Sequence, residues 1–205
     1  MKLSICVHQF FNRYLPAIKG ASKATIKSYR DTFSIFLSFA ARYHRIKIAS
    51  LKVEHISFDM VLAFLDHLEK DRHNASRTRN HRLAVLKSFA KMIRLLYPEQ
   101  QKIAEEILGV PEKRTQKILI GYLHHQEVLK VYSVVNLKRK EGFRDFCILH
   151  LLYDSGARAS ELATLNLDYF DSQTRTLAIL GKGNRYRQIE LWPKTAELLD
   201  LYITK

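Results

Sequence analysis

Tyr153-Asp-Ser-Gly-Ala-Arg-Ala-Ser-Glu-Leu162 holds a helix end, a glycine turn and a new helix start, with Arg158 opening the second helix. Upstream, residues 142–153 carry Phe143, Phe146, Ile148, Leu149, Leu151 and Leu152. That run is apolar nearly all round, the pattern of a core helix. Downstream, 159–165 reads as a short helix. Twenty-four residues after Arg158 comes Lys182, in Leu180-Gly-Lys-Gly-Asn184. The alternation around it predicts strands over 176–180 and 188–191, joined across 181–187 as a hairpin with Lys182 at its tip. An arginine fork and a lysine point charge, both on glycine-marked turns, suit a phosphodiester. A last helix is expected over 195–203.

Charge supports that chemistry. The 205 residues hold 34 Lys and Arg against 20 Asp and Glu, a net charge of +14. Up to Val110 there are 19 basic and 9 acidic residues; beyond it, 15 and 11. An excess of this size favours a polyanion, nucleic acid being the usual one, over a basic surface that serves only solubility. A hydrophobic content of 47% with only 7 Gly and 4 Pro describes a globular, mostly helical chain. Cys6 and Cys147 are far apart and form no Cys-x-x-Cys pair, so neither a disulfide framework nor a zinc site is indicated. His124 and His125 are adjacent, and neighbours on a helix point apart, so no metal is expected there either. His150, on the apolar helix, reads as a core histidine. Residues 1–14 lack the apolar run and cleavage site of a signal peptide. Apolar runs elsewhere are interrupted by charge, so no membrane span is expected. Reduced thiols and a nucleic-acid partner imply a cytoplasmic protein.

The N-terminal half reads as a helical unit. Ile26, Tyr29, Phe33, Leu37 and Ala40 step by three and four through 22–42, with Phe36 widening the stripe and Lys23, Lys27 and Arg30 beside its edge. Ser57 is placed to cap a helix through Val61, Leu62, Phe64, Leu65 and Leu68. Ser76 begins another, with Leu83, Leu86, Phe89, Ala90, Ile93 and Leu96 on one face. Lys87, Lys91 and Arg94 flank that face, and Pro98 ends the helix. Arg77, Arg79 and Arg82 crowd its first turns. Such charges can decorate a solvated face, but their clustering points to phosphate contacts. A further short helix fits 99–108, and 109–117, with Gly, Pro and a charge run, reads as a linker. The expected domains are therefore 1–98, a linker over 99–117, and 118–205.

Several of these stretches together resemble the tyrosine recombinase (phage integrase) family, which includes the Xer-type enzymes. Ser22-Lys-Ala-Thr25 with Tyr29, Phe36 and Phe39 is similar to the opening helix of the family's core-binding domain, and Ser76-Arg-Thr-Arg-Asn80 with Leu83, Leu86 and Phe89 to a later one. Ser155 to Leu165 resembles the segment with the first catalytic arginine. Gly181-Lys-Gly-Asn-Arg-Tyr-Arg-Gln-Ile-Glu-Leu191 resembles the hairpin with the catalytic lysine. The resemblance implies a mainly α chain with a small β-hairpin or sheet: an N-terminal helical, SAM-like core-binding domain, then the front part of an α+β catalytic domain.

By the same resemblance Arg158 grips the non-bridging oxygens of a scissile phosphate, and Lys182 protonates the leaving 5′-oxygen. Glu161, one turn after Arg158, matches an acidic family position and supports the arginine. Lys23, Lys27, Arg77, Arg79, Arg82, Lys87 and Arg185 are the expected DNA-backbone contacts, and Arg187 is balanced between a contact and a solvated residue. The structural alternatives are that Arg158 merely caps its turn and pairs with Glu161, and that Lys182 is an ordinary exposed turn residue. Double-stranded DNA is the implied partner, with other recombinase protomers beside it and no metal or nucleotide cofactor. The family's His-x-x-Arg motif and nucleophilic tyrosine find no match here, so the chain is expected to be truncated and unable to cleave DNA alone. The alternative function is a non-enzymatic DNA-binding regulator or decoy at recombination sites.

Overall fold

Serine caps mark where two helices of the N-terminal half begin. In the computed structural model, which describes residues 1–116, 119–181, 183 and 185–204, α1 (Leu3–Gln9) runs on through a π-wound stretch, Phe10–Ile18. Four further α-helices follow: α2 (Lys23–Tyr43), α3 (Phe58–Lys70), α4 (Ser76–Leu96) and α5 (Gln101–Gly109). Ser22 Oγ accepts the Thr25 N–H at 3.2 Å, and Ser57 Oγ accepts that of Met60 at 3.2 Å. Each satisfies a donor that the first helical turn leaves without a partner. Replacing Ser57 with alanine is expected to cost about 1 kcal/mol, read as a shift in the urea midpoint at unchanged slope.

Phenylalanines fill the core between these helices. Phe10, Phe33, Phe36, Phe64 and Phe89 are fully buried. Phe33 meets Phe89 at 5.2 Å between centroids and 71° between planes, and Phe36 meets Phe64 at 5.2 Å and 79°. Both are edge-to-face geometries favoured by the ring quadrupole.

The chain divides into two compact units, Met1–Ile118 and Leu119–Lys205. The expected linker over 99–117 therefore differs from what is found. Ala104 and Ile107 of α5, and Val110 after it, are buried in the first core. Asn80 then pairs with the backbone of Lys113, accepting its N–H at 3.0 Å and donating to its carbonyl at 2.6 Å. Apolar spacing at 104, 107 and 110 carries this segment onto the first unit; the Gly and Pro within it turn the chain without freeing it.

The second unit contains α6 (His125–Ser133), α7 (Gly142–Ser155), α8 (Ala159–Leu162), three strands and α9 (Pro193–Thr204). β1 (Phe170–Asp171), β2 (Thr176–Gly181) and β3 (Arg185–Glu190) form an antiparallel sheet in that order. The hairpin is longer than its apolar residues suggested: β3 starts at Arg185, which pairs with Gly181, and the short β1 adds an edge. Leu177 and Ile179 point into a small core with Leu151, Leu191 and Ala196. The expectation that α7 is buried all round does not hold. Gly142, Cys147 and Leu151 are buried, whereas Ile148 and Tyr153 are exposed. Its inner side meets α9, where the Cys147 thiol donates to the Leu198 carbonyl at 3.4 Å. His150 is half-buried and stacks on Tyr132 at 4.1 Å, and burial lowers its pKa.

Candidate phosphate-binding site

The turn after α7 is built by its own side chains. Ser155 Oγ donates to the Leu151 carbonyl at 2.5 Å and accepts the Ala157 N–H at 3.1 Å. Gly156 closes the helix at φ +59°, in the left-handed region where a side chain is disfavoured. The backbone then extends at Arg158 and turns into α8.

Glu161 ties this turn to the sheet. Its Oε2 accepts the Arg158 backbone N–H at 3.0 Å, and its Oε1 accepts Arg158 Nη1 at 2.8 Å. From the sheet, Arg187 Nη2 donates to the same Oε2 at 2.9 Å. The Glu161 side chain is 6% exposed, that of Arg158 71% and that of Arg187 38%. A buried carboxylate thus anchors an arginine whose guanidinium faces outward with most of its N–H donors available. Two guanidiniums against one carboxylate leave the cluster cationic.

These hydrogen bonds, Arg187's first and then those from the Arg158 backbone and side chain, hold the Glu161 pKa down to about 2. The folded-state pKa is depressed, so the bridge contributes in full above the ordinary carboxylate range and is lost as pH falls toward about 2. The thermal midpoint of the parent is expected to exceed that of a Glu161→Gln variant at about pH 5.5, with the gap closing toward about pH 2.5. A gap that stays constant over this range would contradict the assignment.

Arg187 reaches Glu161 because of strand register. It lies opposite the buried Ile179, two residues before the half-buried Ile189, so its stem runs along the core face while its charged end meets the carboxylate. Sequence reasoning left Arg187 undecided; the period-two step to Ile189 was the signal. Gly181 sits at the same place: a Cβ there would lie 3.5 Å from both Arg187 Nη1 and Glu161 Oε1. Lys182, the expected hairpin-tip lysine, lies outside the described residues, while Gly183 beside it adopts φ +79°. Arg185 is exposed on the closing pair of the hairpin.

The first-unit cations divide into two kinds. Lys23, Lys27 and Arg77 are exposed, and Lys87 is half-buried. Arg79 is a correction: it is only 8% exposed, and its Nη1 donates to Asn80 Oδ1 at 3.0 Å and to the Pro111 carbonyl at 3.2 Å. Its place on the inner side of α4 makes it a strap for the chain leaving α5 and withdraws most of the residue from solvent. Arg82 is half-buried, and its Nη1 is buried with no hydrogen-bond partner among the described residues. Burial, and then the charge of Arg72, lower its pKa.

Among the described residues no group of three His, Cys, Asp or Glu is placed to hold a metal ion. No described helix is long and apolar enough to cross a membrane.

Comparison with known proteins matches both units. Residues 8–94 fit the N-terminal SAM-like domain of phage integrases, and residues 121–205 fit the phage integrase family. Over 205 residues the chain is 34% identical to the integrase/recombinase y4rD of Sinorhizobium fredii, covering 99% of this chain and 73% of that protein. It is 30% identical to the tyrosine recombinase XerC of Chlamydia muridarum, covering 94% of this chain and 64% of the relative. Among solved structures, the XerH site-specific recombinase bound to difH substrate before cleavage is similar in fold, with a TM-score of 0.64 at 18% identity over 95% of this chain and 55% of that one. The Tn1549 transposon integrase in complex with transposon right end DNA is similar at a TM-score of 0.63 and 15% identity, over 100% of this chain and 66% of that one. The chain thus spans roughly half to three-quarters of the length of these proteins.

Proposed function

The chain belongs to the phage integrase family, and from that premise we propose that it binds double-stranded DNA and serves DNA integration and site-specific recombination. The observation that carries this is Arg158: an exposed guanidinium held on a buried carboxylate, in a chain of net charge +14. A planar guanidinium donates two parallel hydrogen bonds to the non-bridging oxygens of one phosphate, and more strongly as charge builds there in the transition state. Lys182 is proposed as the acid that protonates the leaving 5′-oxygen. No His-x-x-Arg occurs in the 205 residues, and no nucleophile is assigned to this chain. A second reading is a DNA-binding regulator at recombination sites; its biological effect would survive Lys182→Ala, whereas a catalytic role would not. The proposed place of action is the cytoplasm, with other recombinase protomers as partners on the DNA.

Lys23, Lys27, Arg77, Lys87 and Arg82 of the first unit, and Arg185 of the second, are the proposed backbone contacts. Each phosphate contact contributes about one unit to the slope of log affinity against log salt. Arg77→Ala is therefore expected to lower that slope by about one. Arg79→Ala should leave the slope unchanged and lower the stability of the first unit instead. Equal slopes for parent and Arg77→Ala on a fluorescent duplex would remove Arg77 from the interface.

A further inference from the structure

We propose that Arg187 is a positioning residue: by holding the Glu161 carboxylate in place, it sets the Arg158 guanidinium for a phosphate without contacting that phosphate itself. This rests on the reading of Arg158 as a phosphate ligand.

Geometry assigns the two arginines different tasks. Both donate to the Glu161 carboxylate, but Arg158 approaches from the loop after α7, and Arg187 from β3. Glu161 is the joint between the two elements. Its Oε2 is shared by Arg187 and by the backbone N–H that fixes where Arg158 leaves the turn. Arg187 is itself confined, with Ile179 opposite it in register and Nη1 against the Gly181 position. A guanidinium tied to a carboxylate at one end and lying along the sheet is poorly free to turn toward a ligand. Arg158, nearly twice as exposed, is the one that faces out.

The consequence reaches the hairpin. Gly181, where an added Cβ would lie 3.5 Å from both Glu161 Oε1 and Arg187 Nη1, directly precedes position 182. Removing Arg187 loosens the junction between the hairpin base and the Arg158 turn, and leaves a buried carboxylate short of its strongest partner. Glu161 then takes up a proton at a higher pH, and its carboxylate, tied to the sheet by one hydrogen bond fewer, is held less firmly beneath Arg158. An independent phosphate contact at 187 would behave otherwise, since its loss would not depend on Arg158.

A double-mutant cycle on the full chain separates the two cases. Affinity for a labelled duplex of about 30 base pairs is measured for the parent, Arg158→Ala, Arg187→Met and the double variant, with thermal unfolding confirming the fold. Arg187→Met is expected to weaken binding about tenfold in the parent, the size of one charge-assisted hydrogen bond, and by little more in the Arg158→Ala background. Arg187→Lys, which keeps charge and one donor, is expected to recover affinity to within about threefold of the parent. The Glu161 carboxyl titration, followed by carbon-13 NMR, should move up from about 2 in Arg187→Met and stay low in Arg187→Lys. If Arg187→Met loses the fold, Arg187→Gln takes its place. Additive losses, or a Glu161 titration unmoved by loss of Arg187, would overturn the positioning role alone. A duplex affinity unmoved by Arg158→Ala would overturn the phosphate reading on which that role rests.

Discussion

Replacing Phe33 with alanine is expected to lower the stability of the first unit by about 3–5 kcal/mol, the usual cost of truncating a buried phenylalanine. Phe33 sits at the meeting point of three elements. Its ring lies edge-on to Phe11 at 5.3 Å and 88°, edge-on to Phe89 at 5.2 Å, and within 5.7 Å of Phe10. Removing the ring opens a cavity whose walls are other rigid rings on different helices, so the site collapses poorly. The check is the urea midpoint of the far-UV circular dichroism signal, which should fall with the slope unchanged. Leu119, 97% exposed, provides the contrast: Leu119→Ala should stay within about 0.5 kcal/mol of the parent. A Phe33→Ala variant as stable as the parent would mean that the phenylalanine cluster is not the centre of the first core.

Duplex affinity is expected to fall by about 10³–10⁵-fold between about 50 and 200 mM salt, if six to ten phosphates are neutralised. Lys23, Lys27, Arg77, Arg82, Lys87, Arg158, Lys182 and Arg185 form a set within that range. Binding carried by a few direct base contacts would respond far less, because only released counterions give the steep dependence. The measurement is a salt series with a labelled duplex. A loss of less than about tenfold over this interval would contradict backbone binding by this set.

The helices of the first half were legible because their apolar residues repeat at helical spacing, and two of their starts carry serine caps, Ser22 and Ser57. Arg158 with Glu161 was legible from glycine punctuation and from the resemblance of the flanking residues. What escaped reading depends on contacts distant in sequence. Arg79 and Arg77 look alike in the chain, yet one bonds the Pro111 carbonyl and the other faces solvent, a difference set by where α5 returns. Arg187 found its partner 26 residues away through the pairing register of β2 and β3, which the turn and the buried Ile179 fix jointly. The start of the chain was also silent. Leu3, Cys6, Phe10 and Leu15 are buried along α1 and its π-wound continuation, where Pro16 and a five-residue step, Lys19 N–H to the Tyr14 carbonyl at 2.8 Å, obscure the usual helical period. The apolar run in α7 suggested burial all round because composition alone does not say how many layers cover a helix.

The measurement that bears most directly on the central claim, an Arg158 guanidinium presented by Glu161 to a DNA phosphate, is the salt dependence of duplex binding by Arg158→Ala beside the parent. The expected result is a weaker complex whose log–log slope is lower by about one unit, with thermal stability close to that of the parent. A variant that matches the parent in affinity and slope at every salt concentration would contradict it, and would leave Arg158 as a residue that only caps its turn and pairs with Glu161.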